Sequence, residues 1–272
     1  MSTSTYTKEI HGLQISLVEQ TLLSAAKAAA QITLPAFRSG LSVDNKEDAS
    51  FDPVTQADRD AELAIRKVIE NSFPEHTIIG EEHDNKITNS PFSWIIDPID
   101  GTRSFISGVP MWGTLIGLAH NNINFAGIMT QPFTNETYLG LPDRATYQRG
   151  SETSLLRTSK VKNLNEAILF TTTPSLFTGE KAKAYDQLES KIRLVRYGCD
   201  CYAYCLMAAG HADLVVETEL KIYDIAALIP IVRNAGGIVT NFEGNEPDDS
   251  GNIIAAATKE LHAATLEIMR KS

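Results

Sequence analysis

Cysteine is scarce in this chain, and what there is lies in one place. Only three cysteines occur, and Cys199, Cys201 and Cys205 fall within seven residues. An odd, clustered set excludes the disulfide framework of a small secreted domain. A zinc site completed by His211 is the functional alternative. The run from Tyr202 to Ala209 patterns as a packed helix, however, where free cysteine behaves as a small hydrophobe, so we expect structural cysteines. No apolar run approaches the length of a membrane span. No Lys/Arg run occurs either, and 24 basic against 34 acidic residues leave a formal net charge of −10. That balance argues against nucleic acid and membrane as partners and suits a protein that concentrates carboxylates around cations. The opening Met1-Ser2-Thr3-Ser4-Thr5 lacks the charged-then-apolar pattern of an export signal. The expected location is therefore cytoplasmic, although a processed organelle protein would look the same. Internal repeats, low-complexity tracts and long linkers are missing.

With 272 residues and 43% apolar content, there is enough chain for one large domain or two lobes around a substantial core. Helical spacing runs from Leu13 to Phe37, with Gly40 a plausible stop. Thr55 and Asp58 look like a capping pair opening a second helix, which ends near Pro74. Strands follow at Thr77–Ile79, Trp94–Ile96, Trp112–Ala119 and Ile123–Met129, the last two joined by an Asn121-Asn122 hairpin turn, and then at Tyr138–Leu141 and Ala145–Gln148. The second half alternates strand and helix: strands at Ala167–Thr173, Ile192–Tyr197, Asp213–Glu217, Ile238–Asn241 and Asn252–Ala256, helices at Gly179–Ser190, Cys201–Gly210, Tyr223–Ala235 and Lys259–Arg270. Such alternation implies α/β layering. A seam near Gly150 would divide the chain into parts of about 1–150 and 151–272, both serving one catalytic unit.

One stretch carries the densest chemistry. The apolar run Trp94-Ile95-Ile96 meets Asp97-Pro98-Ile99-Asp100. Pro98 lacks a backbone donor and is expected to end regular pairing, letting the two carboxylates converge. Gly101 permits unusual dihedrals. Thr102 to Phe105 can open a short helix, whose free N–H groups favour an anion. Carboxylates beside a phosphate-sized cradle suit Mg²⁺. The same pattern also suits an exposed turn, so the other acidic places matter. Asp52 precedes Pro53 and caps nothing obvious. Glu81 follows a strand end in Gly80-Glu81-Glu82, where Glu82 reads as solvated loop. Asp224 sits at the start of an apolar helix, where a dipole-favoured charge is the simpler role and a metal ligand the functional one.

Taken together, Asp52-Pro-Val-Thr55, Gly80-Glu81-Glu82, Asp97-Pro-Ile-Asp-Gly-Thr102 and Tyr223-Asp224-Ile-Ala-Ala227 resemble, in order and approximate spacing, the inositol monophosphatase family of metal-dependent phosphomonoesterases. The resemblance covers most of the chain. It implies an α-β-α-β-α sandwich, usually dimeric, hence a homodimer here, and Mg²⁺ as cofactor, two or three ions per site. It further implies that Glu81, Asp97, Asp100, Asp224 and the carbonyl of Ile99 hold the metal. Asp52 and Thr102 would position and activate water, with Glu81 supporting catalysis. Gly101 and Thr102 would hold phosphate, and Arg103 beside them would either touch phosphate or steer Glu217.

Where many family members continue Gly-Thr-Thr-Asn-Phe, this chain has Gly101-Thr102-Arg103-Ser104-Phe105. That variant, with Tyr197-Gly198-Cys199-Asp200-Cys201-Tyr202 and Ser107-Gly108-Val109-Pro110-Met111-Trp112-Gly113-Thr114, is similar to the histidinol-phosphate phosphatases of the family. The expected substrate is then L-histidinol phosphate, in histidine biosynthesis. Asp200 and Glu217 are the candidates to meet its amine and imidazole, beside Asp100 and Asp224, and Asp200 would otherwise serve as an N-cap. Inositol phosphates, other sugar phosphates and nucleoside bisphosphates are alternative substrates. A regulatory binding protein on the same fold is the reading from another class, and the intact acidic set argues against it.

Overall fold

A computed structural model describes residues 8–39, 44–45 and 53–270. A short pairing of β1 (Glu9–Ile10) with β2 (Leu13–Gln14) leads into α1 (Ile15–Ala36), which buries Ile15, Val18, Leu22, Ala25, Ala26 and Ala29 along one face. That is the i, i+3, i+4 stripe of a helix laid on a core. β3 (Asp44–Asn45) pairs with β4 (Pro53–Val54). α2 (Gln56–Ser72) follows, and the expected capping pair is there: the Thr55 amide donates to Asp58 Oδ2 at 2.9 Å.

A seven-stranded sheet comes next, from β5 (Thr77–Gly80), β6 (Phe92–Asp100), β7 (Gly113–His120), β8 (Ile123–Gln131), β9 (Glu136–Leu141), β10 (Arg144–Arg149) and β11 (Glu152–Leu155), with the short α3 (Thr102–Ile106) after β6. Only β5 runs parallel to its neighbour; the rest form an antiparallel meander. The hairpin residues Asn121 and Asn122 both take positive φ, 48° and 64°, as a tight turn between twisted strands requires. β11 escaped sequence reading because all four of its residues are exposed, so no apolar alternation marks it. Gly150 lies in the β10–β11 turn.

The second sheet is mixed. It comprises β12 (Ile168–Thr171), β13 (Leu194–Tyr197), β14 (Leu214–Glu217), β15 (Ile238–Thr240) and β16 (Ile253–Ala256), in the order β13-β12-β14-β16-β15. Its helices are α4 (Gly179–Glu189), α5 (Cys201–Ala208), α6 (Ile222–Ile225), α7 (Leu228–Asn234) and α8 (Lys259–Met269). The helix expected over Tyr223–Ala235 is broken at Ala226–Ala227 into α6 and α7. Pro230 falls in the first turn of α7, where its missing N–H costs nothing.

Three apolar clusters define the layers. α1 and α2 pack on one face of the first sheet through Leu22, Ile65, Ile69, Trp94 and Ile116. α5 and α7 lie between the sheets, joining Leu115, Met129 and Tyr138 of the first to Val215, Val239 and Ala255 of the second. α4 and α8 cover the outer face of the second sheet. The result is the α-β-α-β-α sandwich.

The middle layer sits very close to the first sheet, and glycine makes this possible. Gly117, Gly127 and Gly140 are in register across β7, β8 and β9. A Cβ on Gly127 would lie 2.3 Å from the Ala227 carbonyl oxygen, and one on Gly140 would lie 2.5 Å from the Ile231 amide nitrogen. Ala226, beside this row, packs on Ile95 of β6, bringing Asp224 toward the end of the same strand. Gly127→Ala should therefore cost about 1–3 kcal/mol through overpacking and reduce activity by displacing α6. Chemical denaturation measures the first effect; unchanged stability would mean that the row does not set the spacing.

Candidate active site

Pro98 does not end β6. The strand continues to Asp100, with a register shift: Asp97 pairs with Leu115 and Asp100 with Gly113, so Pro98 and Ile99 oppose Thr114 alone. Residues three apart on a regular strand face opposite sides. One extra residue cancels that alternation and re-aims the second carboxylate. The bulge is held by Thr114 Oγ1, donating to the Pro98 carbonyl at 2.8 Å, and by the Ile99 amide, donating to Asp97 Oδ1 at 3.1 Å.

Asp97, Asp100 and Asp224 thereby come together. One carboxylate oxygen from each lies within 4.8 Å of the others, and among the described residues this is the one group of metal-ligand type. Glu81 faces it from the end of β5, and its charge bears on both Asp97 and Asp224. α2 sets the turn that carries Glu81. The buried Glu62 pairs with Arg66 at 2.7 Å and accepts the Glu82 amide at 2.7 Å. A Cβ on Gly80 would meet the Glu62 carboxylate. Glu82 is thus half-buried and bonded through its backbone, where sequence suggested a solvated loop. Asp52 lies outside the described residues. The cysteines take no part in any metal group among the described residues: Cys201 and Cys205 are buried in the middle layer and all three are free.

Gly101 takes φ 80° in the left-handed region, and a Cβ there would lie 2.8 Å from the Met111 carbonyl oxygen. Glycine is thus required on both counts. It opens α3, as the sequence suggested, and Thr102 Oγ1 donates to the Ile99 carbonyl at 3.0 Å. Asp100 Oδ2 accepts the Cys201 amide at 2.7 Å. A carboxylate from the first sheet therefore supplies the N-terminal acceptor that α5 would otherwise draw from its own cap.

Asp200 occupies the cap position but makes no side-chain capping bond. Gly198, Cys199 and Asp200 have positive φ in succession, 81°, 86° and 44°. This costly backbone turns the Asp200 carboxylate toward Ser104, whose hydroxyl is 3.5 Å away, and toward the Arg103 charge. Glu217, buried at the end of β14, accepts the Thr172 amide at 2.7 Å and the hydroxyls of Thr172 and Thr171 at 3.1 and 3.3 Å. A cleft of about 300 Å³ joins these parts, lined among others by Asp100, Gly101, Thr102, Arg103, Asp200, Glu217 and Asp224. Thr172, Tyr204, Thr218 and Leu220 also line it. Sequence reasoning missed them, because polar residues at strand ends and a tyrosine inside an apolar helix carry no local signal.

Burial first, then repulsion from neighbouring carboxylates, chiefly Glu81 on Asp97 and Asp200 on Asp100, holds both well above the ordinary carboxylate range. Asp224 is raised to about 7 and Glu217 to about 8, burial being the main cause in each. Carboxylates gathered so closely away from water hold either protons or cations, and hard oxygen donors of this kind fit a divalent ion such as Mg²⁺.

An acidic cleft between the sheets of a five-layered sandwich places the chain among the layered α+β phosphatases. Comparison with known proteins agrees. The model of the inositol monophosphatase family matches residues 14–272, and the chain belongs to that family. A chloroplastic bifunctional phosphatase of Arabidopsis thaliana is 39% identical over 253 residues, covering 89% of this chain and 72% of the relative. A histidinol-phosphatase of Chlorobaculum parvum is 35% identical over 243 residues, covering 89% and 92%. The solved structure of an inositol monophosphatase from Zymomonas mobilis superposes with a TM-score of 0.81 at 39% identity, covering 94% of this chain and 97% of that one.

The raised carboxylates have a consequence for stability. Between the ordinary values of 3.8 and 4.5 and the folded values of about 7 and about 8, the metal-free fold binds more protons than the unfolded chain. Its stability is therefore present at low pH and falls as pH rises through that window. In chelator, the unfolding temperature should drop between about pH 5 and about pH 8, and Mg²⁺ should raise it most at the upper end. A flat profile in chelator would contradict the raised values.

Proposed function

We propose that the chain is a Mg²⁺-dependent phosphomonoesterase acting on L-histidinol phosphate, releasing L-histidinol and phosphate in histidine biosynthesis. The observation that carries the hydrolytic part is the convergence of Asp97, Asp100 and Asp224 on one point at the head of the cleft. In this reading those three, Glu81 and the Ile99 carbonyl hold two or three Mg²⁺ ions. When bound, the metal neutralises phosphate charge and acidifies a water molecule. The amides of Gly101 and Thr102 hold and orient the phosphate, with Arg103 at the rim. Thr102 and Asp52 position the attacking water. Both halves of the chain act as one catalytic unit, since residues of each line the cleft. A cytoplasmic homodimer is the expected form. No helix of the described residues is long and apolar enough to cross a membrane.

The substrate assignment rests on charge. Histidinol phosphate carries an amine and an imidazole beside its phosphate, where inositol phosphate carries neutral hydroxyls. Asp200 and Glu217 are two cleft carboxylates beyond the converging set. The resemblance to histidinol-phosphatases of about one-third identity supports the same assignment.

Loss of a ligand charge should cripple the chemistry: Asp97→Asn and Asp224→Asn should each reduce turnover by at least about two orders of magnitude. Phosphate release measured with and without chelator tests this, and full activity of either variant without metal would refute the mechanism. Selectivity has its own test. A carboxylate–ammonium contact contributes roughly 1.5–3 kcal/mol, about one to two orders of magnitude in affinity. Asp200→Asn, and Glu217→Gln at a pH above about 8 where Glu217 is ionised, should weaken histidinol phosphate by that factor and leave a generic aryl phosphate nearly unaffected. Equal losses on both substrates would assign these residues to the metal site or the fold. A wild-type preference for inositol phosphate would refute the substrate.

A further inference from the structure

A second cavity, of about 320 Å³, lies along α5 and shares no lining residue with the acidic cleft. α5 gives Cys201 and Tyr204 to the cleft. Tyr202 and Leu206, four residues apart and so on one helix face, go to the cavity. Glu136 of β9, Tyr147 of β10 and Leu155 of β11 also line it. Glu136, Tyr147 and Tyr202 are each half-buried, so part of each remains accessible.

Glu136 makes no ion pair among the described residues. Arg149 stands opposite it across β9 and β10 and contributes favourable charge, without forming a salt bridge to it. Three hydroxyls serve the carboxylate instead: those of Thr134 at 2.6 Å and Tyr147 at 2.7 Å, and that of Tyr202. Burial pushes the Glu136 carboxyl up, but the bonds from Thr134, Tyr202 and Tyr147 outweigh it and hold the group below its ordinary value. It is therefore ionised at neutral pH. Burial and the bond to Glu136 push both phenols up, Tyr147 to about 12, so neither proton leaves. A hydroxyl has one proton to give, and Tyr147 and Tyr202 have each given theirs to Glu136. These three side chains consequently offer the cavity oxygen lone pairs and negative charge, and no donor. The group that complements them is a cation carrying several N–H bonds, and Leu155 and Leu206 suit an apolar body attached to it.

We propose that this cavity is a binding site for a primary ammonium ion with a short apolar body, which donates its N–H groups to Glu136 and to the phenolic oxygens of Tyr147 and Tyr202. The site lies outside the acidic cleft, and the proposal does not rest on the phosphomonoesterase reading.

The probe is isopentylammonium, titrated into the full chain by calorimetry. Its neutral counterpart isopentanol has the same body with a hydroxyl in place of the ammonium. We expect saturable binding of the cation, and binding of the alcohol at least about tenfold weaker, as a charge-assisted contact implies. Glu136→Gln keeps the shape, removes the charge and should weaken the cation by the same factor. Three hydroxyls rest on Glu136, so that variant can also loosen the fold, which its unfolding midpoint reports. Ser154→Trp is the second variant: Ser154 lines the cavity from the exposed strand β11, and the indole should fill the space and weaken the cation at least about tenfold with Glu136 intact. Asp200→Asn, in the cleft, should leave the affinity unchanged. No saturable binding to the wild-type protein, equal affinity for the alcohol, or full affinity in Glu136→Gln or Ser154→Trp would overturn the proposal. So would a loss in Asp200→Asn, which would place the cation in the cleft.

Discussion

Carboxylates repel one another, and burying several in one place raises the cost. Asp97, Asp100 and Asp224 are nevertheless brought within reach of a common point, with Glu81 beside them. Much of the fold can be understood as the scaffold for that arrangement. The bulge at Pro98–Ile99 turns two carboxylates of one strand to the same side. A buried Glu62–Arg66 pair holds the turn that carries Glu81. Without cations the cluster has to retain protons, which links metal, pH and stability in one equilibrium.

The sheets on either side of the cleft are coupled through the same cluster. The in-register glycines of β7, β8 and β9 admit the α6–α7 segment to near backbone contact, which carries Asp224 to the strand bearing Asp97 and Asp100. Asp100 in turn accepts the first amide of α5. A residue of the first sheet is thus both a candidate metal ligand and the effective cap of a middle-layer helix. The bond fixes the Asp100 carboxylate, which is what a carboxylate that ligates a metal requires.

Two cleft carboxylates outside the converging group are held differently. Glu217 rests on three donors from Thr171 and Thr172, and Asp200 is aimed by a run of left-handed backbone. Both line the same cleft as the converging set; Asp200 is the main neighbouring charge on Asp100 and would lie 3.1 Å from a Cβ on Gly101.

Much of this was legible in the chain. Apolar spacing marked α1 and α2, the Thr55–Asp58 pair marked a helix start, and Asn121-Asn122 marked a hairpin, because each depends on neighbours a few residues away. Ordered motifs around Glu81, Asp97, Asp100 and Asp224 pointed to the family and its layered sandwich. Other features were not legible. Pro98 signalled a strand end, yet cross-strand pairing with β7 continued past it as a bulge. β11 carried no apolar pattern, and the break between α6 and α7 depends on how that segment packs. The glycine row is visible only once three strands are in register. Asp200 was open to the role of N-cap, and Asp100, a hundred residues earlier, supplies the acceptor instead. The unpartnered hydroxyl of Tyr204 emerged only when α5 was packed. Local composition determined which segments could become helix, strand or turn. Which carboxylates converge, and which polar groups are buried without a partner, was decided by contacts between residues far apart in the chain.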